Sequence, residues 1–310
     1  LRVLKEPRVL PAAIAAANDS ETVLEALACI GEFGSTEHAR LVTSVAQRNT
    51  SADILHQAFA NLARWGSKNG LLPDPDAPGH SIDRAVAELQ GSSGVVARWN
   101  TIGPLPDDLA AQIAKESGQV GSHLRTPEAS TVHWQQELAR PGDANFTVGP
   151  SGAGKPGPNE FWIGTSDVEV RETTDVQFLA SSNGALRVWL NGEAIHQRTQ
   201  TGSFQPDSDR FEGTLAKGAN RIVIQVSAGN PSNVAYHIRF RRKSSRTEHE
   251  QLAQAALTRP GNAERGGKLF FDAEKSQCIK CHRLGDQGER IGPELTGAGN
   301  RFSRIHIIES

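Results

Sequence analysis

The apolar residues of this chain change period near Gly94, and one repeating fold cannot accommodate both patterns. Before it they recur every three or four residues, over Val9 to Ala17, Val23 to Phe33, Ala39 to Ala46 and Ile54 to Trp65. That spacing lines one face of a helix. Asn18-Asp19-Ser20, Gly34-Ser35 and Asn49-Thr50-Ser51 break the pattern, and residues 72–81 (LPDPDAPGHS) form a proline-rich connector before a last short helix over Ile82 to Leu89. After Gly94 the period is two. Val95 to Ile102, Val176 to Ala180, Leu186 to Leu190 and Arg221 to Val226 read as strands, with Asn191-Gly192 as a type I′ hairpin turn and a tight turn across Leu215 to Arg221.

A length of 310 residues accommodates two or three domains, and 37% hydrophobic with 22% charged residues fits a globular protein. A net charge of -2 argues against a general nucleic-acid binder. No apolar run approaches the roughly eighteen residues of a membrane span. The start, LRVLKEPRVLPAAIAAANDS, has basic residues ahead of an apolar run as a signal peptide does, but Glu6 and Pro11 favour a helix.

Two of the three cysteines stand in Cys278-Ile279-Lys280-Cys281-His282. C-x-x-C-H is the arrangement that attaches haem c: each thiol adds to one porphyrin vinyl group, and the adjacent imidazole becomes the proximal iron ligand. The pattern thus nominates Cys278 and Cys281 as covalent haem attachments and His282 as the axial ligand. A zinc knuckle and a redox disulfide are the alternatives. Zinc needs four ligands, and no second C-x-x-C or H-x-x-x-H follows. Cys29, in an alanine- and leucine-rich helical pattern, is expected to be a buried, inert thiol.

The stretch GNAERGGKLFFDAEKSQCIKCHRLGDQGERIGPELTG resembles the amino-terminal half of a class I cytochrome c domain. In that resemblance Asn262 caps the helix before the motif, Leu269 and Phe270 form its apolar face, and the carbonyl of Pro293, in Gly292-Pro293-Glu294-Leu295, accepts a hydrogen bond from the second ring nitrogen of His282. Residues 261–310 are similar throughout to the haem-binding domain of multidomain proteins from Planctomycetes-type bacteria, where G-P-x-L-T-G and a helix like RFSRIHIIES follow the motif. That family implies further cytochrome sequence beyond Ser310 and an upstream dehydrogenase. The chain contains no methionine, begins at Leu1 and ends within an apolar pattern, so a piece of a longer protein is expected. The sixth iron ligand is then sought outside it, with His306 as the nearby substitute or an ordinary helix histidine.

ASSNGALRVWLNGEAI followed by LAKGANRIVIQV resembles a galactose-binding-like or PA14-like β-sandwich, which implies carbohydrate as a partner. Ser181-Ser182-Asn183-Gly184 lacks the acidic residues of calcium-assisted sugar binders. Trp162, Trp189 and Tyr236 are either a sugar platform or aromatic core. Gly149 to Lys155 imitates a phosphate-binding loop, but Pro156 stands where a magnesium-binding Ser or Thr is required and blocks the helix. Arg239, Arg241, Arg242, Lys243 and Arg246 form either a docking face for an acidic redox partner or a solvated strand end and linker. Thr247-x-x-Glu250 is a capping box. No catalytic constellation is legible, so no catalytic residue is assigned and an enzymatic role stays open.

The expected fold is therefore multidomain α and β. A helical, HEAT-like region covers residues 1–90, an antiparallel β-sandwich 91–243, and a linker helix with a truncated all-α class I cytochrome c domain 244–310. The expected function is electron transfer by one covalent haem c, receiving electrons from a redox partner or an upstream dehydrogenase domain. A carbohydrate-binding or adhesion protein with a structural or sensory haem is the alternative, and a haem-free zinc scaffold the third reading. Haem c attachment outside the bacterial cytoplasmic membrane implies export, for instance to the periplasm.

Overall fold

The computed structural model describes residues 19–48, 51–66, 80–115, 123–125, 131–142, 145–148, 160–227, 234–243 and 247–309. They fall into two compact units, Leu1–Lys243 and Ser244–Ser310.

In the first unit, helices α1 (Ser20–Phe33), α2 (Ala39–Gln47), α3 (Ala52–Trp65) and α4 (His80–Ser93) pack as a small bundle. Asp19 starts α1 by accepting the Thr22 N–H at 2.8 Å. Leu27, Ile30, Val42, Ile54, Phe59 and Leu62 are buried on the facing stripes. Asn61 ties α3 to α1 by donating to the Leu27 carbonyl at 2.8 Å. Gly31 is needed there, since a Cβ would stand 2.3 Å from Asn61 Oδ1.

The strands follow as β1 (Arg98–Pro106), helix α5 (Asp107–Lys115), β2 (His123–Arg125), β3 (Thr131–His133), β4 (Gln135–Leu138), β5 (Arg140–Gly142) and β6 (Asn145–Thr147). After them come β7 (Glu160–Val170), β8 (Thr174–Ser182), β9 (Leu186–Leu190), β10 (Glu193–Arg198), β11 (Asp209–Leu215), β12 (Gly218–Ser227) and β13 (Tyr236–Arg242). Six form an antiparallel sheet in the order β10-β9-β12-β7-β1-β4, and three a second sheet in the order β11-β8-β13. Their inner faces share one core, with Phe178, Val188, Phe211, Ile222 and Phe240 among its residues. Asn191 and Gly192 have φ of 52° and 88°, the left-handed pair that a type I′ turn between β9 and β10 demands. At the sheet edge, β10 slips register between Ala194 and His196.

The bundle and the sheets share that core. Gln90, 1% exposed on α4, joins them. Its Oε1 accepts the N–H groups of Ala97 at 2.8 Å and Arg98 at 2.9 Å, while its Nε2 donates to Ser166 Oγ at 3.0 Å and the Asp167 carbonyl at 2.6 Å. Asp83 of α4 forms a buried ion pair with Arg98 of β1. At Gly91 the helix meets β7 so closely that a Cβ would lie 1.9 Å from the Glu169 carbonyl oxygen. The HEAT-like expectation is corrected on this ground: the helices bury their apolar faces together and against a sheet, whereas a repeat array buries them against further repeats.

The second unit contains α6 (Thr247–Thr258), α7 (Ala263–Phe270), a 3₁₀ turn (Cys278–Lys280), α8 (Ala298–Arg301) and α9 (Arg304–Glu309). Asn262 caps α7 by accepting the Arg265 N–H at 2.8 Å. The buried apolar residues are Ala253, Leu257 and Ile305, while Leu252, Leu269, Phe271, Ile291 and Ile307 are exposed. The expected all-α class I cytochrome c domain is therefore corrected. Such a domain closes helices over an apolar interior, whereas α7 buries no residue and most of the described chain is mixed α and β with antiparallel sheets.

Candidate functional site

The segment carrying the sequence motif is built on short-range hydrogen bonds. Gln277, with φ 57°, turns the chain into the 3₁₀ turn, and the Cys278 carbonyl accepts the N–H groups of Cys281 at 3.1 Å and His282 at 2.9 Å. This puts both thiols and the imidazole on one turn. Both cysteines are free; Cys278 is half-buried and Cys281 exposed.

His282 Nδ1 lies 2.9 Å from the Pro293 carbonyl oxygen. A carbonyl only accepts, so Nδ1 carries a proton, and in the neutral ring the lone pair is then on Nε2. The ring is also fixed from below: Gly292 donates to the Cys281 carbonyl at 2.6 Å, and a Cβ on it would lie 2.7 Å from His282 Cε1. Cys278, Cys281, His282 and Pro293 are thus brought into one segment. His306 belongs to α9, but its side chain lies outside the described residues.

In the first unit, Trp162 and Tyr236 are buried, Tyr236 edge-on against Trp99 at 5.3 Å between centroids. Trp189 packs partly buried against a second small core containing Ile102 and Val223. The three rings form no open platform. Ser181, Ser182 and Asn183 are buried too, Asn183 Oδ1 accepting the Ala235 N–H at 2.9 Å. Residues 149–156, the phosphate-loop imitation, lie outside the described residues, as does Arg246.

Two aspartates were not anticipated from the sequence. Asp209 is paired with Arg198 at 3.0 Å and His196 at 3.1 Å, and Asp207 with Arg239 Nε at 3.0 Å. Burial pushes Asp207 up, but hydrogen bonding from His237 and the Arg239 charge outweigh it and hold the carboxyl at about 2. His237 Nε2 stands 3.2 Å from both the Asp207 N–H and its Oδ1. One nitrogen serves one of them at a time, accepting when neutral and donating when protonated. These carboxylates are saturated by protein partners and form a structural clasp.

The basic run at the end of β13 divides by strand alternation. Arg239 and Arg241 are buried on the face opposite core residues Ile238 and Phe240, Arg241 donating to Gln177 at 2.9 Å, while Lys243 pairs with Glu212 at 2.8 Å. Arg242 instead reaches a groove of about 660 Å³, with Arg84, Glu88 and Ser92 of α4 on one wall and Glu169, Arg171 and Lys217 on the other. Arg84 is held by Glu169 at 2.7 Å and Glu88 at 3.3 Å. Spacing did not reveal this site, because its residues come from five separated segments.

No protein-family model matches the chain, and no curated protein matches it. Solved structures similar to it include a beta-glucosidase from Kluyveromyces marxianus in complex with glucose, 12% identical with a TM-score of 0.35, covering 76% of this chain and 33% of that one. A PA14 sugar-binding domain from an RTX adhesin is 13% identical with a TM-score of 0.28, covering 48% of this chain and 90% of that domain. A family 35 carbohydrate-binding module from Clostridium thermocellum is 14% identical with a TM-score of 0.21, covering 30% and 85% respectively. This chain thus spans a third of the glucosidase's length.

The expected membership of a cytochrome-type, electron-transferring haem-binding family is corrected: no family model shows it, and helix α7, which precedes the motif, buries no residue. The expectation of metal binding by converging side chains is corrected likewise: among the described residues no group of three or more His, Cys, Asp or Glu can hold a metal ion. No helix among the described residues is long and apolar enough to cross a membrane.

Proposed function

We propose that this chain is a carbohydrate-binding protein whose first unit takes a saccharide in the Arg84–Arg242 groove and whose second unit carries a covalent haem in a structural or sensory role. The groove carries the saccharide reading. Its volume of about 660 Å³ falls within the range of small-ligand sites, roughly 300–1,000 Å³. Paired and unpaired polar groups stand beside Gly91, Val170 and Gly218, so hydroxyl groups find donors and acceptors while a sugar's C–H face finds non-polar surface.

The haem reading rests on the His282–Pro293 contact. A proton held on Nδ1 leaves Nε2 as the ligand atom, and fixing the second nitrogen is how proteins orient a ligating imidazole. Cys278 and Cys281 would supply the thioether bonds, and exposed Ile291, Leu269 and Phe271 give apolar surface that a porphyrin would cover. The bound group would supply a coordinating iron; the chain supplies attachment, ring orientation and tautomer. Attachment would require passage through an exported haem-ligation system, so an exported location belongs to the proposal.

Two measurements test it. On a glycan array the full chain should retain saccharides, and a chain with Ser92→Trp, which fills the groove, should not; equal retention by both would sink the groove as the site. Co-expressed with a haem c ligation system and exported, the chain should keep its haem through denaturation and acid-acetone extraction. Recovery of two unmodified thiols would refute attachment.

A further inference from the structure

We infer that the groove selects saccharides bearing an anionic group, a carboxylate or sulfate on the sugar ring. This deepens the saccharide reading and rests on it. The groove is lined by four cations, Arg84, Arg171, Lys217 and Arg242, against two carboxylates, Glu88 and Glu169. Arg84 already bridges both carboxylates, so it offers little charge to a ligand and serves to neutralise them.

Arg171, Lys217 and Arg242 have no acceptor for their side chains among the described residues and are all exposed. In the same unit the buried and half-buried Arg98, Arg187, Arg198, Arg221 and Arg239 are each paired with an aspartate. Exposed Arg40, Arg48, Arg140 and Arg210 stand apart from one another, whereas Arg171, Lys217 and Arg242 converge on one concavity and make a positive site in a chain of net charge -2.

Their mounting is rigid. Arg171 directly follows β7, Lys217 sits in the turn before β12, and Arg242 ends β13. That turn is fixed by Gly218 at φ 96° and by Asn220, whose Oδ1 accepts the Ala216 N–H at 2.8 Å. Two guanidinium forks and one ammonium so held match carboxylate or sulfate oxygens. The remaining Ser92 and Gln47 side chains, themselves 3.4 Å apart, offer hydroxyl and amide groups to neutral ring positions.

The test compares oligogalacturonate, dextran sulfate, neutral dextran and duplex DNA as titrants of the full chain by calorimetry, with Arg171→Gln, Lys217→Gln and Arg242→Gln combined as the variant. One anionic saccharide or both should bind at least about tenfold more tightly than dextran, from three exposed charge contacts of modest strength each. The variant should lose that preference, and the preference should weaken with salt. All three side chains are exposed, so circular dichroism and the thermal midpoint should stay unchanged. Which of the two anionic titrants binds identifies carboxylate or sulfate. Binding of dextran equal to the anionic sugars overturns this inference and leaves saccharide binding standing; retention of the anionic preference by the variant overturns it too. DNA binding as tight as the best saccharide shows a general polyanion surface and overturns it, and absence of all saccharide binding removes both readings.

Discussion

Replacing Gln90 by alanine removes the one side chain that joins helix α4 to the six-stranded sheet through four hydrogen bonds. The buried N–H groups of Ala97 and Arg98 lose their acceptor, at about 1–3 kcal/mol each, and two donated bonds vanish. Ser166 Oγ keeps its own bond to the Arg98 carbonyl at 2.7 Å, which limits the damage. The expected loss is about 4 kcal/mol. For a unit of this size that lowers the thermal midpoint by about 10 °C. Fluorescence of the buried Trp99 reports the transition in urea and on heating. Gln47→Ala, which removes an exposed partner at 3.4 Å, is the control and should stay within about 0.5 kcal/mol of the parent. A Gln90→Ala chain destabilised by less than about 1 kcal/mol would refute the reasoning, because the two N–H groups would then have found water or another acceptor. Saccharide affinity should fall in parallel, since α4 is one wall of the groove.

Asp83→Ala leaves the Arg98 charge buried without its partner and should cost about 3 kcal/mol or more by urea titration, whereas Asp83→Leu with Arg98→Met should recover most of it. The folded Asp207 carboxyl titrates at about 2 against 3.8, so its stabilisation is present above pH 3.8 and drains away as the pH falls towards 2. About 2 kcal/mol is lost over that window. Asp207→Asn should flatten the stability profile there, and an unchanged acid limb in that variant would contradict the assignment. Gly292→Ala puts a methyl group 2.8 Å from His282 Nδ1. In haem-loaded protein it should leave thioether attachment intact but shift the ferric absorption spectrum; an identical spectrum would show that the Pro293 bond does not govern the ring.

Local elements were legible wherever one face is buried. Apolar spacing over Val23 to Phe33 and Ile54 to Trp65 coincides with α1 and α3, and Asn191-Gly192 gives its turn because two successive positive φ angles favour those residues. Helix α5 escaped, since Asp107 and Asp108 hide a single turn-and-a-half of apolar residues, Ala110, Ile113 and Ala114, that pack on Ile163 and Val223. Strand β1 was placed early at Val95 because apolar content there reflects burial under β13, where Val95 makes one isolated bridge to Arg239. The juxtaposition of His282 and Pro293 came from the resemblance of Gly292-Pro293-Glu294-Leu295 to a cytochrome segment, not from spacing, and it is a local contact eleven positions apart. Arg171, Lys217 and Arg242 were not legible, since their meeting depends on three strand ends being brought together by the sheets, a long-range arrangement that no local spacing encodes.

The irregularity of β10 bears on crowding. An outermost strand presents unpaired backbone groups to any neighbouring chain, and here the register slip between Ala194 and His196 bends that ribbon while exposed Glu193 and Gln197 stud it with charge and polarity. On the opposing sheet, edge strand β11 carries exposed Arg210 and Glu212. Strand addition at these two edges is thereby frustrated, so copies brought side by side can meet there without fusing into a continuous ribbon.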